Sequence, residues 1–348
     1  MSSDRAAFTH SLSPEDWLAE RFGAERPKWS LAQLGRDADP DAWRRGLSSD
    51  LRCALGLDRV EPVDPAPKLL DRYEESGVTV ERILYSSEPD VSVPALILLP
   101  HAPTLPQPAV IVCHDRGPGK SSALLQPSWS DPGEPERSLV RRLLDEQFIV
   151  AIPDAVGSGE RSGPELPQFG LGGWLGRPLL GRWVHDALSL VSLLDERQEV
   201  DSKRLAIVGT GPGGAVALHA MALDRRLRVG VIGGQLASNA DRVIALAAEA
   251  WRPLPEVLYL MVPGLATLAD VPDLACLCAP QPLLMLHTTQ DAACPIDAGR
   301  SCAALIGRGY ARLQGKGMFE TQFLPEIGSR SHEATREFLV RHLRAQYV

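Results

Sequence analysis

The stretch RLAIVGTGPGGAVALHAMAL, residues 204–223, decides the fold of this chain. Leu205-Ala206-Ile207-Val208 is a short apolar run of the kind that fills a central parallel strand. From Ala215 onward, small and apolar residues predict a buried helix. The glycine-rich residues between the two runs predict a tight turn that joins strand to helix.

The turn has the spacing of a nucleophile elbow, G-x-S-x-G, in which glycines let strand and helix approach closely around a strained nucleophile. Gly211 stands at the nucleophile's position, and Pro212 follows it. Glycine has no attacking side chain, so an acyl-enzyme on serine cannot form here. Pro212 has no N–H, so it cannot supply the usual oxyanion donor. Alone, the pattern also fits a plain turn or a phosphate loop.

The composition restricts the class of protein. The 348 residues are 44% hydrophobic with a net charge of −8, which suits one large α/β domain with an appendage better than two domains. The negative charge argues against nucleic acid and anionic membrane surfaces as partners. Neither a signal-peptide pattern nor a run of ~20 apolar residues is present. We therefore expect a cytoplasmic protein, and the sequence leaves homo-oligomerisation open.

The cysteines predict neither disulfides nor a metal site. They lie among apolar neighbours without paired C-x-x-C units, so we expect reduced thiols, no metal and no cofactor. The six are Cys53, Cys113, Cys276, Cys278, Cys294 and Cys302.

The order of predicted elements indicates an α/β fold. Residues 1–75 predict a helical N-terminal arm, because Ser13-Pro14-Glu15-Asp16 offers an N-cap, a first-turn proline and acids beside the helix start. Residues 76–348 predict one domain with a small insertion at about 235–265. Apolar strands alternating with helices predict a mostly parallel sheet of about eight strands with helices on both faces.

Polar motifs follow several of the predicted strands. Ligands of such a sheet bind beyond the carboxyl ends of its strands, so these motifs mark a candidate site. They are His114-Asp115-Arg116-Gly117, Asp154-Ala155-Val156-Gly157-Ser158-Gly159-Glu160, Thr288-Thr289-Gln290-Asp291 and Gly328-Ser329-Arg330-Ser331-His332.

The order of elbow, acid and histidine resembles that of the α/β-hydrolases over roughly residues 78–345. In detail the chain is similar to the acetyl-xylan-esterase and dienelactone-hydrolase-like branch, through His114-Asp115-x-Gly117, Val262-Pro263-Gly264 and Ala279-Pro280-Gln281-Pro282. The resemblance implies an α/β-hydrolase fold and a small-molecule substrate or ligand with a carbonyl or ester group. It further implies Asp291 as triad acid, His332 as general base, Gly211 as nucleophile position, the amide of Arg116 as first oxyanion donor, and residues 154–160 as a loop bracing the site.

Other residues have structural and functional interpretations. His114 is expected to pack or hydrogen-bond beneath the oxyanion loop rather than to catalyse. Thr210 and Cys113 are poor substitutes for the nucleophile, because Thr210 precedes the turn apex and Cys113 ends a buried strand. Trp174 and Trp251 are the aromatic residues that we expect to line a substrate pocket.

Two functions remain open at this point. In the first, His332 oriented by Asp291 is a general base in an enzyme without covalent catalysis, for water-activated hydrolysis or a lyase, isomerase or cyclisation step. In the second, the chain is an inactive hydrolase relative that binds a ligand or protein partner. Retention of an acid and a histidine in the expected order favours the enzyme.

Overall fold

The computed structural model describes most of the chain. The described residues are 14–35, 38–101, 106–115, 117–123, 135–163, 165–248, 261–291, 294–326 and 328–344. Among them, no helix is long and apolar enough to cross a membrane.

The described residues form one nine-stranded sheet. Its strands are β1 (Lys68–Glu75), β2 (Val78–Glu88), β3 (Val91–Pro100), β4 (Gln107–Cys113), β5 (Ile149–Pro153), β6 (Val200–Gly209), β7 (Leu227–Gly233), β8 (Leu283–Thr288) and β9 (Phe319–Leu324). Their spatial order is β1-β2-β3-β5-β4-β6-β7-β8-β9. The pairs from β1 to β5 along this order are antiparallel, and all later pairs are parallel. The predicted, mostly parallel sheet is confirmed, with nine strands instead of about eight.

Helices cover both faces of the sheet. They are α1 (Pro14–Ala24), α2 (Pro40–Ala54), α3 (Pro135–Asp145), α4 (Glu165–Trp174), α5 (Leu179–Glu196), α6 (Gly211–Leu223), α7 (Asn239–Ala248), α8 (Leu265–Leu268), α9 (Val271–Leu277), α10 (Ile296–Arg312) and α11 (Ser329–Arg344). Along β4, Ala109 and Ile111 join the apolar core with α5 and α6, whereas Val110 and Val112 join the core with α3 and α11. Strands buried on both faces explain the continuous apolar runs of the sequence.

The N-terminal segment differs from the predicted helical arm of residues 1–75. It contains helices, but Lys68–Glu75 is an edge strand paired antiparallel with β2. Most of that strand is exposed, so its sequence lacks the apolar run of the inner strands. Moreover, α2 buries Trp43, Leu47 and Leu51 in the main core, so this segment is integrated with the domain.

The glycine-rich turn forms the sharp apex that its spacing predicts. Strand β6 ends at Gly209 and α6 begins at Gly211, whose φ is +53°. A residue with a Cβ is strained at such a φ. Gly213 lies so close to the carbonyl of Cys113 that a Cβ there would overlap the oxygen. Both glycines therefore let α6 start directly against the ends of β6 and β4.

The insertion predicted at about 235–265 contains α7, and α8 begins at its end. Residues 249–260, including Trp251, lie outside the described residues.

Candidate active site at the glycine elbow

A cavity of about 400 Å³ opens at the start of α6. It lies beyond the carboxyl ends of β4 and β5 and against α5, which is where ligands bind in folds of this kind. The volume suits a small organic molecule. The lining residues that carry polar side chains or belong to the elbow are Cys113, His114, Asp115, Asp154, Ser158, Trp183, Asp186, Pro212 and Gly213.

The Asp115 carboxylate lies in front of Gly211. Both of its oxygens are 2.8 Å from the point where a Cβ on Gly211 would stand, and its Cγ is 3.0 Å away. A real Cβ does not approach other heavy atoms that closely. The carboxylate therefore lies directly beside the point from which a side chain at residue 211 would project.

The helix start beside this carboxylate lacks the usual oxyanion donor. Thr210 is the N-cap of α6, and Pro212 lies in its first turn and lines the cavity. Pro212 has no N–H, so it offers no backbone donor to the cavity. The side-chain amide of Gln235 donates to the carbonyl of Gly211 at 2.7 Å and fixes the apex.

His114 holds the loop that carries Asp115. Its Nε2 accepts a hydrogen bond from the amide of Ala155 at 3.1 Å, so the proton of the neutral ring is on Nδ1, which donates to the carbonyl of Asp115 at 2.5 Å. Burial lowers the pKa of His114, which favours this neutral form. Both ring nitrogens are engaged with the backbone, so His114 positions the loop, as the sequence predicted.

The loop after β5 is braced by buried ion pairs. Asp154 is fully buried and accepts hydrogen bonds from the amides of Lys120 at 2.7 Å and Glu160 at 3.0 Å, and from the Lys120 ammonium. Lys120 also pairs with Glu160 at 2.6 Å, and Arg161 pairs with Asp186 at 2.6 Å. Asp154 and Asp186 are thus each neutralised by a cation.

His332 does not line the cavity at the elbow. It is the fourth residue of α11 and lines a separate cavity of about 30 Å³ together with Thr210 and Cys113. Burial, reinforced by the charge of Arg142, lowers the pKa of His332 to about 4. Its Nδ1 is buried and has no hydrogen-bond partner among the described residues.

The Nδ1 atom of His332 does not make the hydrogen bond that was expected between this histidine and Asp291. The Asp291 charge acts instead on His287, where it opposes the lowering of the pKa by burial, and on Cys294, whose pKa is raised mainly by burial. His287 packs against Gly299 of α10, whereas α11 covers the other face of the sheet. The two residues follow β8 and begin α11, as the sequence order predicts.

The remaining candidates have mixed outcomes. Burial raises the pKa of Cys113 to about 12, which excludes a thiolate nucleophile at neutral pH. The prediction that Trp174 lines a pocket is wrong, because its side chain at the end of α4 is 87% exposed. Trp183 of α5 lines the cavity instead and donates from its indole N–H to the carbonyl of Val156 at 3.0 Å. Arg116 and Trp251 lie outside the described residues.

The sheet order, the elbow between β6 and α6 and the cavity beside it define the α/β-hydrolase fold. The sequence model of the acetyl xylan esterase (AXE1) family matches residues 177–261. The Bacillus subtilis protein named "Putative hydrolase YtaP" is 26% identical over 296 residues, which are 79% of this chain and 91% of that protein. These matches support an esterase-like α/β-hydrolase.

Solved structures agree with this fold. A "putative acetyl xylan esterase" from Bacteroides fragilis has a TM-score of 0.73 at 17% identity, over 92% of this chain and 84% of the other. A glucuronoyl esterase from Solibacter usitatus has a TM-score of 0.63 at 15% identity, over 89% of this chain and 94% of the other. At such identities the likeness establishes the fold alone. The hydrolase relatives are consistent with an enzyme.

Proposed function

We propose that this chain is an enzyme that acts on an ester or other carbonyl compound without forming an acyl-serine. The reaction that fits best is water-activated hydrolysis in the cavity at the elbow. The observation that carries the proposal is the placement of this cavity. It opens on Pro212 and Gly213 at the start of α6, where the fold locates its chemistry, while the residue at the nucleophile position has no side chain.

Removal of the serine leaves water as the attacking group, and water requires a general base. The sequence predicts that His332, oriented by Asp291, is this general base. A base is most effective when its pKa is near the working pH, and the pKa of His332 is about 4 in this structure. The pair would therefore act only if Asp291 approached the buried Nδ1 of His332 and raised that pKa. Its contribution stays a prediction.

The substrate class is suggested by the relatives. The matched family is named for acetyl xylan, and solved relatives include a methylesterase and glucuronoyl esterases. All of these names refer to an ester bond, and the acetyl xylan and glucuronoyl names also refer to a carbohydrate. We propose a small ester of a carbohydrate or a similar polyhydroxylated compound as substrate.

A panel assay tests this function. Acetylated xylo-oligosaccharides, methyl esters of uronic acids and glucuronoyl esters are incubated with the protein, and released acid or alcohol is measured. Ser158→Trp should suppress turnover by filling the cavity that Ser158 lines. Ser162→Trp on the same loop is the matched control, because Ser162 is exposed and does not line this cavity.

The alternative of a binding protein is favoured by the buried Nδ1 of His332, which has no hydrogen-bond partner among the described residues. It predicts no turnover by the wild-type protein on the entire panel, together with ligand binding that raises the melting temperature and is abolished by Ser158→Trp. It also predicts that His332→Ala and Asp291→Ala leave binding intact. Turnover that depends on the cavity would exclude it.

A further inference from the structure

We propose that the carboxylate of Asp115 is the general base that activates water at the elbow. The inference rests on the proposed function and assigns its base to a residue of the oxyanion loop, in place of His332. Asp115 is half-buried and lines the cavity at the start of α6.

The position of Asp115 is the first argument. Its two carboxylate oxygens lie 2.8 Å from the Cβ position of Gly211, so they are in contact distance of the point where an attacking side chain would start. Water held by this carboxylate on the cavity side would lie close to the place of a nucleophilic oxygen. The missing side chain at residue 211 is thus replaced by an acidic group from another loop.

The fit between the two residues is the second argument. Gly211 has a φ of +53° and the carboxylate fills the space beyond its Cα. A side chain at residue 211 would displace Asp115, and only glycine removes both that clash and the backbone strain. The turn at residues 114–115 is fixed by both ring nitrogens of His114, so the carboxylate is held by a braced loop.

The ion pairs of the other two acidic residues that line the cavity are the third argument. Asp154 is fully buried against Lys120, and Asp186 is paired with Arg161 at 2.6 Å. These ion pairs stabilise the loop after β5. The helix start that faces Asp115 carries partial positive charge, which favours an anion developing on the substrate.

The hydrolytic step balances with water alone. The Asp115 carboxylate takes one proton from water while the water oxygen bonds to the ester carbonyl carbon. The tetrahedral intermediate then breaks its bond to the alcohol oxygen, which receives the proton from the Asp115 carboxyl group. One ester and one water yield one carboxylic acid and one alcohol, and the carboxylate is regenerated.

The test compares Asp115 variants on the most active ester of the panel. Asp115→Asn keeps the shape of the side chain and removes the base, so kcat/KM should fall by about 100-fold or more. Asp297→Asn, whose side chain is 90% exposed, is the matched control and should stay near wild type. Formate should restore part of the activity of Asp115→Ala, because it supplies a carboxylate in the vacated space. Melting temperatures of all variants establish that they are folded.

Three results would overturn the inference. Activity of folded Asp115→Asn within threefold of wild type refutes Asp115 as base and leaves the proposed function intact. Incorporation of ¹⁸O from labelled water into the Asp115 carboxyl during a single turnover shows that Asp115 attacks the ester itself. Absence of turnover by the wild-type protein on every ester overturns the proposed function and this inference together.

Discussion

The carboxylate oxygens of Asp115 lie 2.8 Å from the point where a Cβ on Gly211 would stand. The two residues are complementary in size, since the absence of one side chain makes room for the other. They follow the ends of β4 and β6, which are neighbouring parallel strands. The fold therefore brings an acid close to a residue without a side chain at the start of α6.

The contact between Asp115 and Gly211 predicts that mutations of these two residues have non-additive effects on the free energy of unfolding. Gly211→Ser should lower the free energy of unfolding by about 2–4 kcal/mol, because it combines a strained φ with displacement of Asp115. In an Asp115→Ala background the loss should be smaller, since only the strain remains. Urea unfolding of the four proteins in this cycle measures the coupling.

Gly77→Ser is the control for that cycle. Gly77 has a φ of +76° and open space where its Cβ would be, so this variant reports the strain without the clash. Equal losses for Gly211→Ser in both backgrounds would show that the contact with Asp115 has no effect on stability.

The pH dependence of stability should show the burial of His332. Its pKa is about 4 in the folded protein against an ordinary 6.5, so between these values the unfolded chain binds more protons. Stability is therefore fully present above pH 6.5 and falls as the pH decreases to 4, by a total of about 3 kcal/mol for this group.

His332→Gln removes that contribution. The difference in unfolding free energy between pH 7 and pH 4.5 should be about 2 kcal/mol smaller in this variant than in the wild type. His101→Gln, at an exposed residue, is the control and should leave the difference unchanged. An unchanged pH dependence in His332→Gln would contradict a buried, neutral His332.

The stability of the protein should depend on Lys120, which pairs with Asp154 in the loop beside the cavity. Lys120→Met leaves the fully buried Asp154 without its cation, which should lower the free energy of unfolding by about 3–5 kcal/mol. Adding Asp154→Asn should recover part of the loss. Lys28→Met serves as comparison, because the exposed pair of Lys28 and Asp50 contributes less than about 1 kcal/mol. Similar losses of unfolding free energy in Lys120→Met and Lys28→Met would show that burial does not strengthen the contribution of the Lys120–Asp154 pair.

Cys113 should be chemically inert, although it lines both the cavity at the elbow and the small cavity beside His332. Its pKa is raised by burial to about 12, whereas Cys53 is exposed. Limited iodoacetamide treatment at pH 8 should therefore alkylate Cys53 in the folded protein and leave Cys113 unmodified, as measured by peptide mass spectrometry. Rapid alkylation of Cys113 would make it a candidate nucleophile.

The sequence predicted the elements whose signal is local. Glycine spacing around Gly211 and apolar runs in the inner strands are sufficient for the elbow and the parallel sheet. Strand Lys68–Glu75 was missed because it lies at an exposed edge and has a polar sequence. Trp174 was misplaced because aromatic character alone does not distinguish a cavity wall from the exposed end of a helix.

The site was harder to predict than the fold. Motif order places Asp291 and His332 after their expected elements, but whether the side chains pair depends on the packing of α10 and α11 on opposite faces of the sheet. The approach of Asp115 to Gly211 likewise arises from a turn held by His114 and Ala155. Such contacts between distant segments leave no spacing pattern in the sequence.

The central claim is that carbonyl chemistry at this elbow proceeds without a serine nucleophile. Intact-mass spectrometry of the wild-type protein after incubation with a serine-directed fluorophosphonate tests it most directly, with ester turnover measured on the same sample. We predict no mass increase and no loss of turnover, because Gly211 offers no hydroxyl to phosphonylate. A stoichiometric adduct together with loss of turnover would contradict the account, since another serine would then be the nucleophile.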